Sequence, residues 1–358
     1  MRVLQLIDSL NAGGAERVAV NLANALSNKI EASFLCATRK EGLLKENLSN
    51  TVNYLFLNKT KTVDVGAIKR LNKFIKENKI QIIHAHSTSF FLAAIMKLFN
   101  RDISIIWHDH YGNSDFLQNR KFDTLKFCSK YFSHIFSVNR SLEAWAKQKL
   151  KIKAVSYLPN FAIMNKTLAV TDLKYLSGKR IVCLANLRPQ KDHFTLLNAF
   201  KKVVELYPDW TLHCVGEDFN DDYSKSVKNK IDELDLNDSV SIYGSKSDVF
   251  NILSQCEIGI LSSKSEGLPL ALLEYGLSNL AVISTKVGEC ETLITNNDNG
   301  LLVEATKPDE LSKAISLYIE NVELRHTHAS NYNKHILKNY SEKVQLQTIL
   351  KTYINCIS

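Results

Sequence analysis

Residues 258–276 read IGILSSKSEGLPLALLEYG. The apolar run Ile258–Leu261 has the length of a short buried strand. Ser262 to Gly267 form a polar, glycine-containing turn. Pro269 suits the first turn of a helix, where its missing N–H costs nothing. Leu270, Leu272, Leu273 and Tyr275 carry that helix on. Strand, turn and helix thus follow one another directly, as in parallel α/β sheets. Glu266 falls at the strand's carboxyl end, beside the unpaired amides of a helix start. Glu274 lies eight positions on, about two turns further along. Carboxylates accept from hydroxyls, and a helix start favours phosphate oxygens. The pair therefore suits a ligand with hydroxyls at one end and phosphates at the other. The plainer alternative is a Glu favoured by the helix dipole plus a solvated Glu on a surface helix.

The same alternation runs along the whole chain. Expected strands are Val3–Ile7, Ala32–Cys36, Val52–Leu57, Ile80–His84, Ile103–Trp107, Ile135–Val138 and Val155–Leu158. A second series is Arg180–Ala185, Trp210–Val215, Val240–Tyr243, Ile258–Leu261, Ala281–Ser284 and Leu301–Val303. Amphipathic helical stretches lie between them, among them Ala15–Leu26, Phe90–Phe99, Ser141–Leu150, Phe194–Leu206 and Pro308–Tyr318. Two such series predict two doubly wound domains, and ligands of such sheets bind at the carboxyl ends of strands. Pro159 to Gly178 is the most linker-like stretch. Beyond Leu311 the chain is helical, with a break near Asn339–Ser341.

The 358 residues exceed one ordinary core, and 45% hydrophobic with 23% charged is an ordinary globular composition. No stretch approaches the roughly 18 apolar residues of a membrane span. The start, MRVLQLIDSL, is broken by Asp8 and is read as a strand instead of a secretion signal. Seven scattered cysteines without a C-x-x-C pair argue for reduced thiols in the cytosol and against zinc. The net charge of +8 divides into +12 over residues 1–165 and −4 over the remainder. Two basic amphipathic segments contribute. One holds Lys69, Arg70, Lys73, Lys76 and Lys79. The other holds Arg120, Lys121, Lys126 and Lys130, interleaved with Phe122, Leu125, Phe127 and Tyr131. They suit an anionic membrane face or an anionic substrate, or are ordinary surface helices.

Several polar motifs follow strands. Gly13-Gly14 leads directly into a helix, where close backbone approach and free amides suit an anion; a tight turn is the alternative. The dinucleotide and P-loop glycine patterns are both absent, which disfavours a nicotinamide-dependent oxidoreductase. His108-Asp109-His110 follows Ile103–Trp107. A histidine there is placed to touch a ligand, and metal binding is the weaker reading, since no ligand cluster of recognisable spacing accompanies it. His84-Ala85-His86 is read mainly as structural. Arg188 and Lys191 stand before a helix start, where the dipole disfavours cations unless an anion such as a diphosphate joins them.

GGAERV, NLRPQKDH, SEGLPLALLEYG and NGLLV, in that order, resemble the retaining glycosyltransferases of family 4, across essentially the whole chain. The resemblance implies the GT-B architecture, two Rossmann-like domains with an interdomain cleft. The bounds would be 1–163 on the acceptor side, 164–338 for the nucleotide sugar, and a terminal helix in 339–358 returning to the first domain. Glu266 would contact hydroxyls of the donor sugar, near the backbone of Gly267, Leu268, Pro269 and Leu270. Glu274 would hold the ribose, and Lys191 with Arg188 and neighbouring Asn186 would meet the diphosphate. Gly13 and Gly14 would face the diphosphate or acceptor, and His108 the transferred sugar. Gly244 to Val249 would approach the base. The family usually has Gly-Arg-Leu with the Lys five positions after the Arg, whereas Arg188 precedes Lys191 by three. Gly288-Glu289-Cys290-Glu291 also departs from the usual Gly-Gly and Pro before the late Glu. The implied reaction is sugar transfer with retention from a nucleotide sugar, UDP by family frequency. It goes to a glycan or lipid-linked glycan, with no metal, no cofactor and no nucleic acid. The implied place is the cytoplasm, peripheral at the inner face of the plasma membrane. The rival readings are a sugar-nucleotide 2-epimerase and a silent sugar-nucleotide binding protein.

Overall fold

The computed structural model describes residues 1–112, 114–161, 163–164 and 169–357, with the side chains of residues 114 and 115 left aside. Five positions of the expected linker, residues 162 and 165–168, lie outside the described residues. Two compact units form: Met1–Phe161 with Glu342–Ser358, and Ala162–Ser341.

The first unit holds strands β1 (Arg2–Ser9), β2 (Ala32–Lys40), β3 (Asn53–Phe56), β4 (Ile82–His86), β5 (Ser104–Asp109), β6 (His134–Ser137) and β7 (Val155–Tyr157). They pair in the order β3-β2-β1-β4-β5-β6-β7, every pairing parallel. Apolar side chains leave both faces: Leu4, Leu6, Ile83 and Ile105 enter one core, and Ile7, Leu35 and Ala37 another. Burial on two faces is why these strands read as continuous apolar runs. The terminal helix Glu342–Ile357 belongs to this unit, and Ser104 Oγ donates to the carbonyl of Cys356 at 2.6 Å.

The second unit holds β8 (Arg180–Leu184), β9 (Thr211–Val215), β10 (Val240–Ile242), β11 (Ile258–Leu261), β12 (Ala281–Thr285) and β13 (Leu301–Val303). Their order is β10-β9-β8-β11-β12-β13, again all parallel. The strand order reverses between β8 and β11, the crevice where open α/β sheets bind ligands. Gly259 in β11 makes this junction tight: a Cβ there would stand 2.6 Å from the Tyr275 ring. Tyr275 thereby lies under the sheet, and its hydroxyl accepts from the Leu184 amide at 2.7 Å and donates to the Ile260 carbonyl at 3.2 Å.

Two expectations need correction. β4 and β5 end two residues later than expected, so His86, His108 and Asp109 sit inside the sheet with His84 and not past its strands. The ladder continues because His86 pairs with His108, and Asp109 with Ser137. Arg120 is not part of a surface basic set. It forms a two-pronged ion pair with buried Asp109 (2.7 and 2.8 Å), and its guanidinium lies over the Trp145 and Tyr111 rings. A planar guanidinium matches a carboxylate fork and an aromatic face together, so it can leave water. The polar segment around it is accordingly broken into Ser114–Asn119 and Asp123–Cys128.

Candidate functional site

In the second unit the loop after β11 is closed by its own side chains. Ser262 Oγ donates to the Lys191 carbonyl at 3.0 Å, and the Lys264 amide donates to the Gln190 carbonyl at 2.8 Å. Thr285 Oγ1, at the end of β12, donates to the Ser263 carbonyl at 2.7 Å. These bonds tie the carboxyl ends of β8, β11 and β12 into one cradle. Asp192, left-handed at φ 49°, starts the helix His193–Leu206 and accepts from the Thr195 amide, so the chain turns back sharply after Lys191.

Lys191 Nζ then meets Glu266 Oε1 at 2.5 Å, and Ser263 Oγ donates to the same oxygen at 2.5 Å. The Glu266 side chain is 5% exposed and that of Lys191 19%. Ser265 is buried, and among the described residues its Oγ meets no hydrogen-bond partner. A buried hydroxyl left unpaired is costly and marks a place built for a polar guest. Glu274 is buried in the helix Leu270–Leu277, which overturns the alternative of a solvated surface Glu. Pro269 precedes that helix as its cap instead of standing in its first turn. Gly267, Leu268, Pro269 and Leu270 are all buried beside Glu266.

Gly288 has φ +51°, and a Cβ there would stand 2.1 Å from the Glu266 carbonyl oxygen. The Glu289 amide donates to the Gly267 carbonyl at 3.0 Å. The loop after β12 thus supports Glu266 from behind. Sequence reasoning attached Gly288 to the sugar pocket only through the resemblance, and it gave no role to Ser262, Ser263, Asp192 or Thr285. No local pattern marks Thr285, because its partner is 22 residues away.

The remaining residues sit as follows. Asn186 Oδ1 accepts from the Glu217 amide at 2.8 Å. Arg188 is exposed, with its guanidinium 4.7 Å from the Phe219 ring centre. Gly244 has φ +68°, and buried Val249 opens the helix Val249–Leu253.

In the first unit Gly13 caps the helix Gly14–Ser27, the Glu16 carboxylate lies against Gly13, and the space beside Gly14 is open. Four histidine rings lie against one another on β4 and on β5 with the residue after it. His84 and His86 lie 4.6 Å apart at 12°, His86 and His108 are 5.5 Å apart, and His108 and His110 are 4.1 Å apart. Neither nitrogen of His108 meets a partner among the described residues. Burial, reinforced by the neighbouring imidazoles, holds His86 and His108 well below the usual range and takes His84 down to about 3; burial alone takes His110 to about 3. All four are neutral near pH 7.

Nitrogens of His84, His86 and His108 come within 4.8 Å of one another. Both His86 nitrogens are engaged, by Gln5 at 2.8 Å and His110 at 3.0 Å. Catalytic metal sites keep three protein ligands, and His86 would have to give up one of these contacts to serve as one.

Residues 12–162 match the family described as Glycosyltransferase Family 4, and residues 170–335 match Glycosyl transferases group 1. The chain belongs to the family 4 glycosyltransferases. It is 27% identical over 325 residues to an uncharacterized glycosyltransferase of Haemophilus influenzae, covering 88% of this chain and 89% of that one. It is 22% identical to the Escherichia coli UDP-Gal:alpha-D-GlcNAc-diphosphoundecaprenol alpha-1,3-galactosyltransferase, covering 96% and 94%. HepE of Anabaena, solved with UDP and glucose, shares the fold at TM-score 0.82 and 19% identity, covering 99% of this chain and 100% of that one. The GT-B architecture expected from the motifs is therefore the fold of this glycosyltransferase. Among the described residues, no helix is long and apolar enough to cross a membrane.

Proposed function

We propose that this chain transfers a hexose, with retention, from a UDP-sugar to a hydroxyl of a lipid-linked envelope glycan. The observation that carries the reading is the pairing of half-buried Lys191 with buried Glu266 at the carboxyl ends of β8 and β11. Each charge compensates the other until a donor arrives. Lys191 then serves the diphosphate, and Glu266 accepts from sugar hydroxyls, with Ser265 Oγ beside it. As the glycosidic bond breaks, negative charge grows on the leaving diphosphate, and Lys191 stabilises it more in the transition state than in the ground state. A leaving phosphate oxygen takes the acceptor's proton on the same face, so no enzymic nucleophile is required and a protein cation serves in place of a metal. Glu274 holds the ribose, and His108, neutral and unpaired, meets the transferred sugar.

The choice of base and acceptor draws support from two similar proteins: HepE is solved with UDP, and the E. coli relative is named for a diphosphoundecaprenol-linked acceptor. The exposed lysines of the helix Val65–Glu77 suit an anionic membrane carrying such an acceptor. The test uses UDP-glucose, UDP-galactose and their GDP counterparts as donors, and a short-chain GlcNAc-diphospholipid as acceptor. A donor that binds the folded state raises its melting temperature. Lys191→Ala should lower kcat by about 10²–10³, or roughly 3–4 kcal/mol, with a melt run alongside because Glu266 loses its counter-charge. Near-normal turnover by Lys191→Ala removes the electrostatic basis of the reading.

A further inference from the structure

The histidine stack is wired to two residues that the reaction has not yet used. Gln5 stands in the middle of β1, wholly buried, and pairs in register with His84. Its Nε2 donates to the Tyr353 hydroxyl at 3.3 Å, and its Oε1 lies 2.8 Å from His86 Nε2. Tyr353, on the terminal helix, places its hydroxyl 2.6 Å from His84 Nδ1. His86 Nδ1 lies 3.0 Å from His110 Nε2.

With the Gln5 amide oriented so that Nε2 faces Tyr353 and Oε1 faces His86, the contacts fix the protons of the neutral rings. A carbonyl oxygen only accepts, so His86 carries its proton on Nε2. His86 Nδ1 is then a bare lone pair, and it accepts from His110 Nε2–H. His110 in turn keeps a lone pair on Nδ1. On the other arm Tyr353 receives from the Gln5 amide, so its own proton goes to His84 Nδ1. One carboxamide, read at both ends, sets the tautomer of three imidazoles.

The polarity ends at His110. It is half-buried, whereas His84, His86 and His108 are buried. It follows Asp109, the last residue of β5, at the end of the sheet where ligands of this fold class bind. We infer that Gln5 and Tyr353 are positioning residues, which hold His110 as its Nε2–H tautomer so that Nδ1 accepts a hydrogen bond from a carbohydrate hydroxyl. The role of the hydroxyl rests on the transfer reading above; the tautomers do not.

The test is a long-range proton–nitrogen spectrum of the full-length, nitrogen-15-labelled chain at pH 7.5, with His84, His86 and His110 assigned by single substitutions. The wild type should show all three as Nε2–H. Tyr353→Phe should move the His84 signals and leave His86 unchanged. Gln5→Leu should convert His86 and His110 to mixtures. Gln5→Glu should restore both, because a carboxylate still accepts from His86 Nε2–H. In turnover, Gln5→Leu should raise KM about tenfold with kcat nearly kept, and Gln5→Glu should rescue it. A rise with UDP-sugar assigns the hydroxyl to the donor, and a rise with the GlcNAc-diphospholipid assigns it to the acceptor. His86 protonated on Nδ1 in the wild type overturns the inference, and that spectrum decides even where a variant does not fold. Tautomers and KM that ignore Gln5→Leu overturn it as well. Correct tautomers in a chain that transfers no sugar leave the network standing and remove the transfer reading instead.

Discussion

Gly288→Ala tests whether the loop after β12 sets the position of Glu266. The new Cβ would stand 2.1 Å from the Glu266 carbonyl oxygen, 2.8 Å from its carbon and 2.9 Å from the Gly267 oxygen. All three are backbone atoms, so no side chain can swing aside. Restoring ordinary contact needs a shift of about 1 Å, and the chain that shifts is the one carrying Glu266. The left-handed φ of +51° adds a direct cost of roughly 1–2 kcal/mol for a residue with a Cβ. Misplacement on the order of 1 Å is enough to cost about 10²-fold in rate. Gly178→Ala provides the control. It has φ +85° and nothing within 4 Å of an added Cβ, so it carries the backbone cost without the clash. The assay is kcat/KM with the nucleotide sugar selected by the thermal screen, beside urea melts of both variants. Gly288→Ala should lose about 10²-fold in kcat/KM, while Gly178→Ala should keep it at a similar loss of stability. Equal, wild-type kcat/KM in both variants refutes the argument that Glu266 acts from a fixed position.

Tyr275→Phe should lower unfolding free energy by about 1–3 kcal/mol in urea melts, because the buried Leu184 amide loses its acceptor; an unchanged midpoint contradicts this. The histidine stack predicts acid sensitivity of the first unit. Burial, with smaller contributions from His110 and His134, takes His84 from 6.5 to about 3. The unfolded chain therefore takes up the proton first, and stability is complete above about pH 6.5 and lost as pH falls from there toward 3. At pH 5 this ring alone should cost about 2 kcal/mol. Melts at pH 7.5 and 5.0 should show that loss, and His84→Asn should shrink it; equal acid sensitivity in both proteins contradicts the sign.

All thirteen strands read from apolar runs form, and Phe90–Phe99 is helical over its expected length. The break expected near Asn339–Ser341 separates the helices ending at Asn339 and starting at Glu342. Apolar periodicity is a local quantity, and a buried parallel strand shows it without help from its neighbours. Strand ends were less legible. His86 and His108 are polar and look like loop residues until the ladder shows their mutual pairing.

The sequence by itself determined two parallel α/β units, the order of their elements and the placing of Lys191 and Glu266 at strand ends. Each of those follows from spacing within some twenty residues. Only the tertiary structure decided that these two charges meet, that Glu274 is buried, that Arg120 belongs to Asp109, and that Gly288 props up the Glu266 loop. Such contacts depend on which strands become neighbours and at what register. A glutamine at position 5 and a tyrosine at position 353 acquire a shared role only when a parallel sheet and a terminal helix bring them within 3.3 Å.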